Sequence, residues 1–195
     1  VEDIGYKYDL AQAKALMQEA GYAVGSNGIL EKDGKPLKFT LKVSTMVENY
    51  VKTAEVVKEQ YRALGVDVEL QLLDMGTWAA DCMAGKFELG IAGLSNDSAD
   101  LLYLMFHSSM IGGGFNLGGV NDPELDLLLE DSRTTVDPAK RQMAINDAQK
   151  RIVQQSYVVP IYESKRVMAM PNKIKGVVFS TRTGGIYLND AYIEE

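Results

Sequence analysis

The chain has 195 residues, 46% of them hydrophobic and 24% charged, which is the balance of one ordinary globular domain. Lys and Arg number 20 against 27 Asp and Glu, a net charge of −7 that disfavours nucleic acid and anionic membrane surfaces and suits a cationic or zwitterionic ligand. The single Cys82 excludes an internal disulfide and a cysteine-built zinc site, and no apolar run is long enough to span a bilayer.

In chain order, "YDLAQAKALMQEAG" (8–21) predicts a helix. Asp9 is its N-cap with Gln12 three residues on, Leu10, Ala13, Leu16, Met17 and Ala20 recur at helical spacing, and Gly21 supplies the stop. Asn27-Gly28 and Asp33-Gly34 are tight-turn pairs. "LKFTLKVS" (37–44) alternates strictly, with Leu37, Phe39, Leu41 and Val43 on one face and Lys38, Thr40, Lys42 and Ser44 on the other, and predicts a half-buried strand. A helix over 49–64 closed by Gly65, a second alternating strand over 66–73, a short helix over 77–84 carrying Cys82 as a small buried hydrophobe, and a third strand over 87–92 follow.

Strand, helix, strand, helix, strand with short links predicts an α/β domain with crossover connections and a parallel or mixed sheet flanked by helices. Leu41, Val43, Val57, Leu64, Val68, Leu70, Leu89 and Ile91 are the expected core. Asp122-Pro123 and Asp137-Pro138 each pair an N-cap with proline at the first helical position, and predict helices over 123–134 and 138–155 packed on the sheet. The segments 157–162, 166–170 and 176–180 read as late strands, the first interrupted by Pro160.

Several chemistries lack their residues. Gly112-Gly113-Gly114 is followed by neither a Walker nor a dinucleotide spacing, and no G-x-S-x-G elbow accompanies the one histidine, His107. His107 follows Leu104, Met105 and Phe106 at the end of an expected helix, where a structural role outweighs metal ligation. Ligands of open crossover sheets bind at the carboxyl ends of the strands. Asp97 after the third strand and Glu48 after the first stand there. On the residues alone, Asp97 reads equally as a ligand contact and as the N-cap of the helix that follows.

The order of these segments resembles the C-terminal lobe of family 5 of the extracytoplasmic solute-binding proteins, the oligopeptide, dipeptide and nickel binders that serve ABC importers. The resemblance rests on "YDLAQAKALMQEAGY" (8–22), "NGILEKDGKPLKFTLKV" (27–43), "AEVVKEQYRALGVDVELQLLD" (54–74), "FNLGGVNDPELDLLLEDSRTTVDPAKRQ" (115–142) and "VVPIYES" (158–164). It implies one lobe, of type II periplasmic-binding-protein-like fold, from a longer two-lobed protein. Residues 165–195 are then expected to contact the missing N-terminal lobe across an apolar, partly exposed face.

The resemblance further implies an extracytoplasmic place, in the periplasm or on the cell surface as a lipoprotein. The implied activity is capture of a peptide or similar small solute between lobes and delivery to a membrane permease, without catalysis or cofactor. In the family's peptide binders an aspartate after an A-G-W-like tripeptide holds the peptide ammonium, and Asp97 stands at that place, with Leu94 where the tryptophan is usual. The candidate ligand-binding set is Asp97, Asn96, Ser95, Glu48, Phe115 and Asn116. Dipeptide binders place an arginine after the first strand, where this chain has Glu48, which argues against that mode. The alternative solute is nickel or another metal chelate, with His107 near the place of the nickel binders' histidine. A small hydrolase using Asp97 and His107, or an interaction module, is the remote alternative.

Overall fold

A computed structural model describes residues 5–94, 98–163, 169–180 and 185–194. The first helix, α1 (Leu10–Glu19), starts as expected, the Asp9 carboxylate accepting from the Gln12 amide at 2.9 Å. The chain then forms a small antiparallel sheet of β1 (Ala23–Val24), β2 (Leu30–Lys32) and β3 (Lys35–Pro36). Asp33 and Gly34 both take positive φ, which fits the mirror-image turn favoured by two-residue hairpins.

Three parallel strands follow in spatial order β5-β4-β6: β4 (Lys38–Ser44), β5 (Asp67–Leu73) and β6 (Leu89–Gly90), linked by α2 (Glu48–Leu64) and α3 (Met75–Met83). The core on one face is Leu41, Val43, Ala54, Val66, Val68 and Ile91, with Leu30 from β2. Leu41, Val43, Val68 and Ile91 are buried as expected, while Val57, Leu64, Leu70 and Leu89 are half-buried and pack against the same cluster.

Two expectations change. The polar face of β4 is withheld from solvent at its carboxyl end, where α3 lies over Lys42 and Ser44, while Lys38 stays exposed. Ser44 is buried, the Lys42 ammonium meets Asp81 at 2.5 Å, and the Trp78 indole donates to the Lys42 carbonyl at 3.4 Å. Cys82, on the same helix, is buried with its thiol pushed up by that burial. The second change concerns α5 (Pro123–Thr134) and α6 (Pro138–Gln154), which pack on each other and on α4 (Asp100–Phe106) rather than on the sheet. Phe106, Val120, Leu125, Leu129, Ala148 and Ile152 form their own cluster, using up the apolar faces that would have met strands. Their Asp-Pro starts are as expected, with Asp122 and Asp137 accepting from the first-turn amides.

The late strands are shorter than read. Residues 157–162 join no ladder among the described residues, and Pro160 lacks the amide that one would need. Of 166–170, residues 166–168 lie outside the described residues, and 169–170 are not strand. Four two-residue strands close the chain: β7 (Ile174–Lys175) pairs with β10 (Tyr192–Ile193), and β8 (Val178–Phe179) with β9 (Ile186–Tyr187).

Large apolar side chains of the last forty residues lie exposed, among them Val159, Tyr162, Phe179, Leu188 and Ile193. Among the described residues no helix is long and apolar enough to cross a membrane.

Candidate functional site

The carboxyl ends of β4, β5 and β6 deliver three short links to one end of the sheet. After β4 the Ser44 hydroxyl accepts from the Met46 amide at 3.3 Å, and Thr45 extends the ladder through its amide to the Leu73 carbonyl at 2.9 Å. Val47, the N-cap of α2, offers no side-chain cap. Glu48 opens the helix with an exposed carboxylate that pairs with Lys52 at 2.6 Å. After β5 the Asp74 carboxylate caps α3, accepting from the Thr77 amide at 3.1 Å and the Thr77 hydroxyl at 2.6 Å. Those bonds, the hydroxyl first, hold the Asp74 carboxyl below its ordinary value.

After β6 the chain runs through Ile91 to Leu94. Tyr50, in the first turn of α2, packs beside Gly93. Burial, and then the neighbouring Tyr162 phenol, push the Tyr50 hydroxyl above its ordinary value, so it stays neutral. Ser95, Asn96 and Asp97 lie outside the described residues. Just beyond, the Ser98 hydroxyl accepts from the Asp100 amide at 3.2 Å.

His107 and Asn116 are brought together, and both build the loop between α4 and α5. His107 ends α4, is 6% exposed, and stacks on Tyr103 with ring centroids 4.1 Å apart. Its Nδ1 accepts from the Ser109 amide at 3.1 Å, which places the proton on Nε2, 3.3 Å from Glu130. Both ring nitrogens are thus in use, in keeping with a structural histidine. Among the described residues no group of three or more His, Cys, Asp or Glu side chains could hold a metal ion.

Asn116, 3% exposed, donates to the carbonyls of His107 at 3.0 Å and Val120 at 2.8 Å and accepts from the Val120 amide at 2.9 Å. Both amide hydrogens are spent on the loop, which Asn116 shapes from within. Phe115 beside it is half-exposed and free to touch a ligand. No described contact joins Glu48 to this loop.

Two polar clusters escaped the sequence reading. Asp126, Glu130 and Arg133 follow the i, i+4, i+7 spacing of one helical face, which in a sequence reads as a solvated stripe. All three are spent on holding the preceding segment to α5. Asp126 accepts from the Ser108 amide at 2.9 Å and hydroxyl at 2.5 Å, Glu130 meets His107, and Arg133 pairs with Asp100 at 2.8 Å while lying over the Tyr103 ring at 4.0 Å. The second cluster centres on buried Asp122, which binds Arg151 and accepts from the Tyr157 hydroxyl at 2.8 Å, while Arg151 also reaches Glu124. The Arg151 guanidinium is the chief cause that brings the Asp122 carboxyl down to about 2.

A family model, bacterial extracellular solute-binding proteins, family 5 (middle region), matches residues 2–112. The chain is similar to the oligopeptide-binding protein AppA of Bacillus subtilis (strain 168), at 28% identity over 174 residues, 88% of this chain and 32% of that protein. It is similar also to the periplasmic murein peptide-binding protein MppA of Escherichia coli (strain K12), at 29% identity over 185 residues, 94% of this chain and 32% of that one. The solved structure of AppA from Bacillus subtilis in complex with a nonapeptide superposes with a TM-score of 0.81 at 24% identity, covering 97% of this chain and 38% of that chain. NikA from Brucella suis in complex with Fe(III)-EDTA does so with a TM-score of 0.79 at 22% identity, covering 98% and 40%. At such identities the likeness to solved structures speaks for the fold alone. The chain spans about a third of the length of the curated relatives it matches.

Proposed function

The chain belongs to the bacterial extracellular solute-binding proteins, family 5, and from that premise we propose that it is the C-terminal lobe of an extracytoplasmic receptor that captures a small peptide and hands it to an ABC permease. The fold is periplasmic-binding-protein-like α/β. The observation that supports the reading furthest is the exposed apolar surface near the end of the chain. A lobe that lacks its partner leaves such a surface uncovered. Exposed Val159, Tyr162, Phe179, Leu188 and Ile193 supply it, so the N-terminal lobe would dock on segments that include the described parts of 165–195.

Solute would sit at the carboxyl ends of β4, β5 and β6, between this lobe and the other. Asp97 would receive its ammonium, with Asn96 and Ser95 beside it, Glu48 reinforcing the negative sign, and Phe115 offering an aromatic face. Asn116 would act by holding Phe115 in place. Closure of two lobes on the solute needs no reacting group, and the receptor would bind without catalysis. Relatives named as oligopeptide-binding and murein peptide-binding lend the peptide class its weight. A metal chelate is the second reading, and His107 lends it little, since both ring nitrogens already have partners.

The test is binding by the full-length protein. Native mass spectrometry against a library of free-terminus tri- to pentapeptides, with nickel–histidine as the competitor class, should retain peptides. Retention of the nickel chelate alone would transfer the assignment to the second reading.

A further inference from the structure

Tyr50 stands between two of the links that end the sheet. Its amide donates to the Val47 carbonyl at 2.9 Å, which fixes it in the turn that carries Glu48. Its ring is partly buried and packs against the core cluster that includes Leu41, Val43, Ala54 and Ile91. Its hydroxyl points at the other link. A Cβ on Gly93 would overlap Tyr50 Oη and lie 3.2 Å from Cζ and 3.7 Å from Cε1. Gly93 is not in the left-handed region, so the demand for glycine here is steric and comes from this phenol.

The strand itself does little to hold that link. β6 pairs with β4 over only Leu41–Leu89 and Lys42–Gly90, and the Ile91 amide adds a longer bond to the Lys42 carbonyl at 3.3 Å. Beyond Ile91 no backbone hydrogen bond to the sheet sets the height of Ala92, Gly93 and Leu94 among the described residues.

We propose that Tyr50 is a positioning residue for solute binding, a fixed spacer that holds the link after β6 at a set distance from the Glu48 turn. This rests on the reading of both links as parts of the solute site. The spacer acts by shape, so the ring matters and the hydroxyl matters only once residue 93 carries a Cβ. Filling Gly93 should push the two links apart, and trimming Tyr50 to phenylalanine should let them return. The remaining 3.2 Å approach to Cζ is one that a phenyl edge relieves by shifting a few tenths of an ångström.

The experiment compares wild type, Tyr50→Phe, Gly93→Ala and the double variant in the full-length protein, with two readouts. One is amide hydrogen exchange at Ile91–Leu94 and at Val47–Asn49. The other is affinity for a tripeptide retained from the free-terminus library. Tyr50→Phe, which keeps the ring and removes the hydroxyl, is the reference for the double variant. Gly93→Ala should lose protection in both links and roughly ten- to a hundredfold in affinity. The double variant should recover protection and come within about threefold of the Tyr50→Phe affinity, a rescue that a general packing defect does not give.

Gly93→Ala with wild-type exchange and affinity would overturn the proposal, as would a double variant no better than Gly93→Ala. If Gly93→Ala does not fold, the double variant decides alone, for the proposal when it folds and binds and against it when it does not. A wild-type protein that retains no peptide would refute the solute reading, while exchange in the four proteins still decides whether the spacer exists.

Discussion

Arg151 grips Asp122 with two bonds, Nε to Oδ2 at 2.5 Å and Nη2 to Oδ1 at 2.9 Å, joining the end of α6 to the start of α5 across 29 residues. The same carboxylate caps α5 and accepts from Tyr157, so one buried charge ties two helices and the chain that leaves them. Asp122→Asn keeps the cap and loses the ion pair, and should cost roughly 2–4 kcal/mol in chemical denaturation. A loss below half a kcal/mol would mean the pair is spectator geometry.

The same pair fixes an acid response. The Asp122 carboxyl falls from its ordinary 3.8, the value of the unfolded chain, to about 2 in the fold, so its contribution is whole above about pH 4 and fades as pH drops towards 2. Stability followed from pH 5 to pH 1.5 should show a descending limb there, and Asp122→Asn should flatten it. An identical limb in the variant would assign acid sensitivity to other carboxylates.

Asn116→Ala should orphan the Val120 amide and the carbonyls of His107 and Val120 in a buried loop. The expected loss is about 2–3 kcal/mol, with faster amide exchange over 111–120 and little change in β4 or β5. Exchange rising equally in the sheet would show the two apolar clusters to be one cooperative unit.

Much of this was legible in the sequence, and the failures have one cause. The alternation of 37–44, the Asp-Pro starts and the Asp9 cap are local signals, and each element stands where its residues put it. What α3 would do to the polar face of β4 is not local. Lys42 and Ser44 read as solvent-facing, and only the tertiary placement of Asp81 and Trp78 makes their burial affordable. Asp126, Glu130 and Arg133 likewise read as a wet stripe, because their partners lie on α4 and the turn after it. At the site, Glu48 and Gly93 were in reach of strand-end reasoning, whereas Tyr50 gave only helical periodicity. Asn116 reads as a ligand residue, and the loop carbonyls and amide that its side chain bonds are tertiary partners no local pattern marks. The 157–162 run had strand composition and no described strand to pair with.

The 195-residue chain alone should bind solute poorly. A ligand enclosed by two lobes gains little from one, and the described candidates Glu48 and Phe115 stand exposed on this lobe. Calorimetry of the isolated chain with a peptide that the full-length protein retains should give no dissociation constant at or below about 1 μM. Tighter binding would mean that one lobe already makes a complete site.

The account turns on Asp97 as the receptor for a positive charge. Its most direct test is the affinity of the full-length protein for one retained peptide and for the same peptide N-acetylated, in wild type and in Asp97→Asn. Asparagine keeps the shape and the capping ability of aspartate and removes only its charge. The expected result is a loss of roughly ten- to a hundredfold for the free-amino peptide in Asp97→Asn, with the acetylated peptide equally weak on both proteins. Unchanged affinity for the free-amino peptide in Asp97→Asn would contradict the account and leave Asp97 with no part in binding the ammonium.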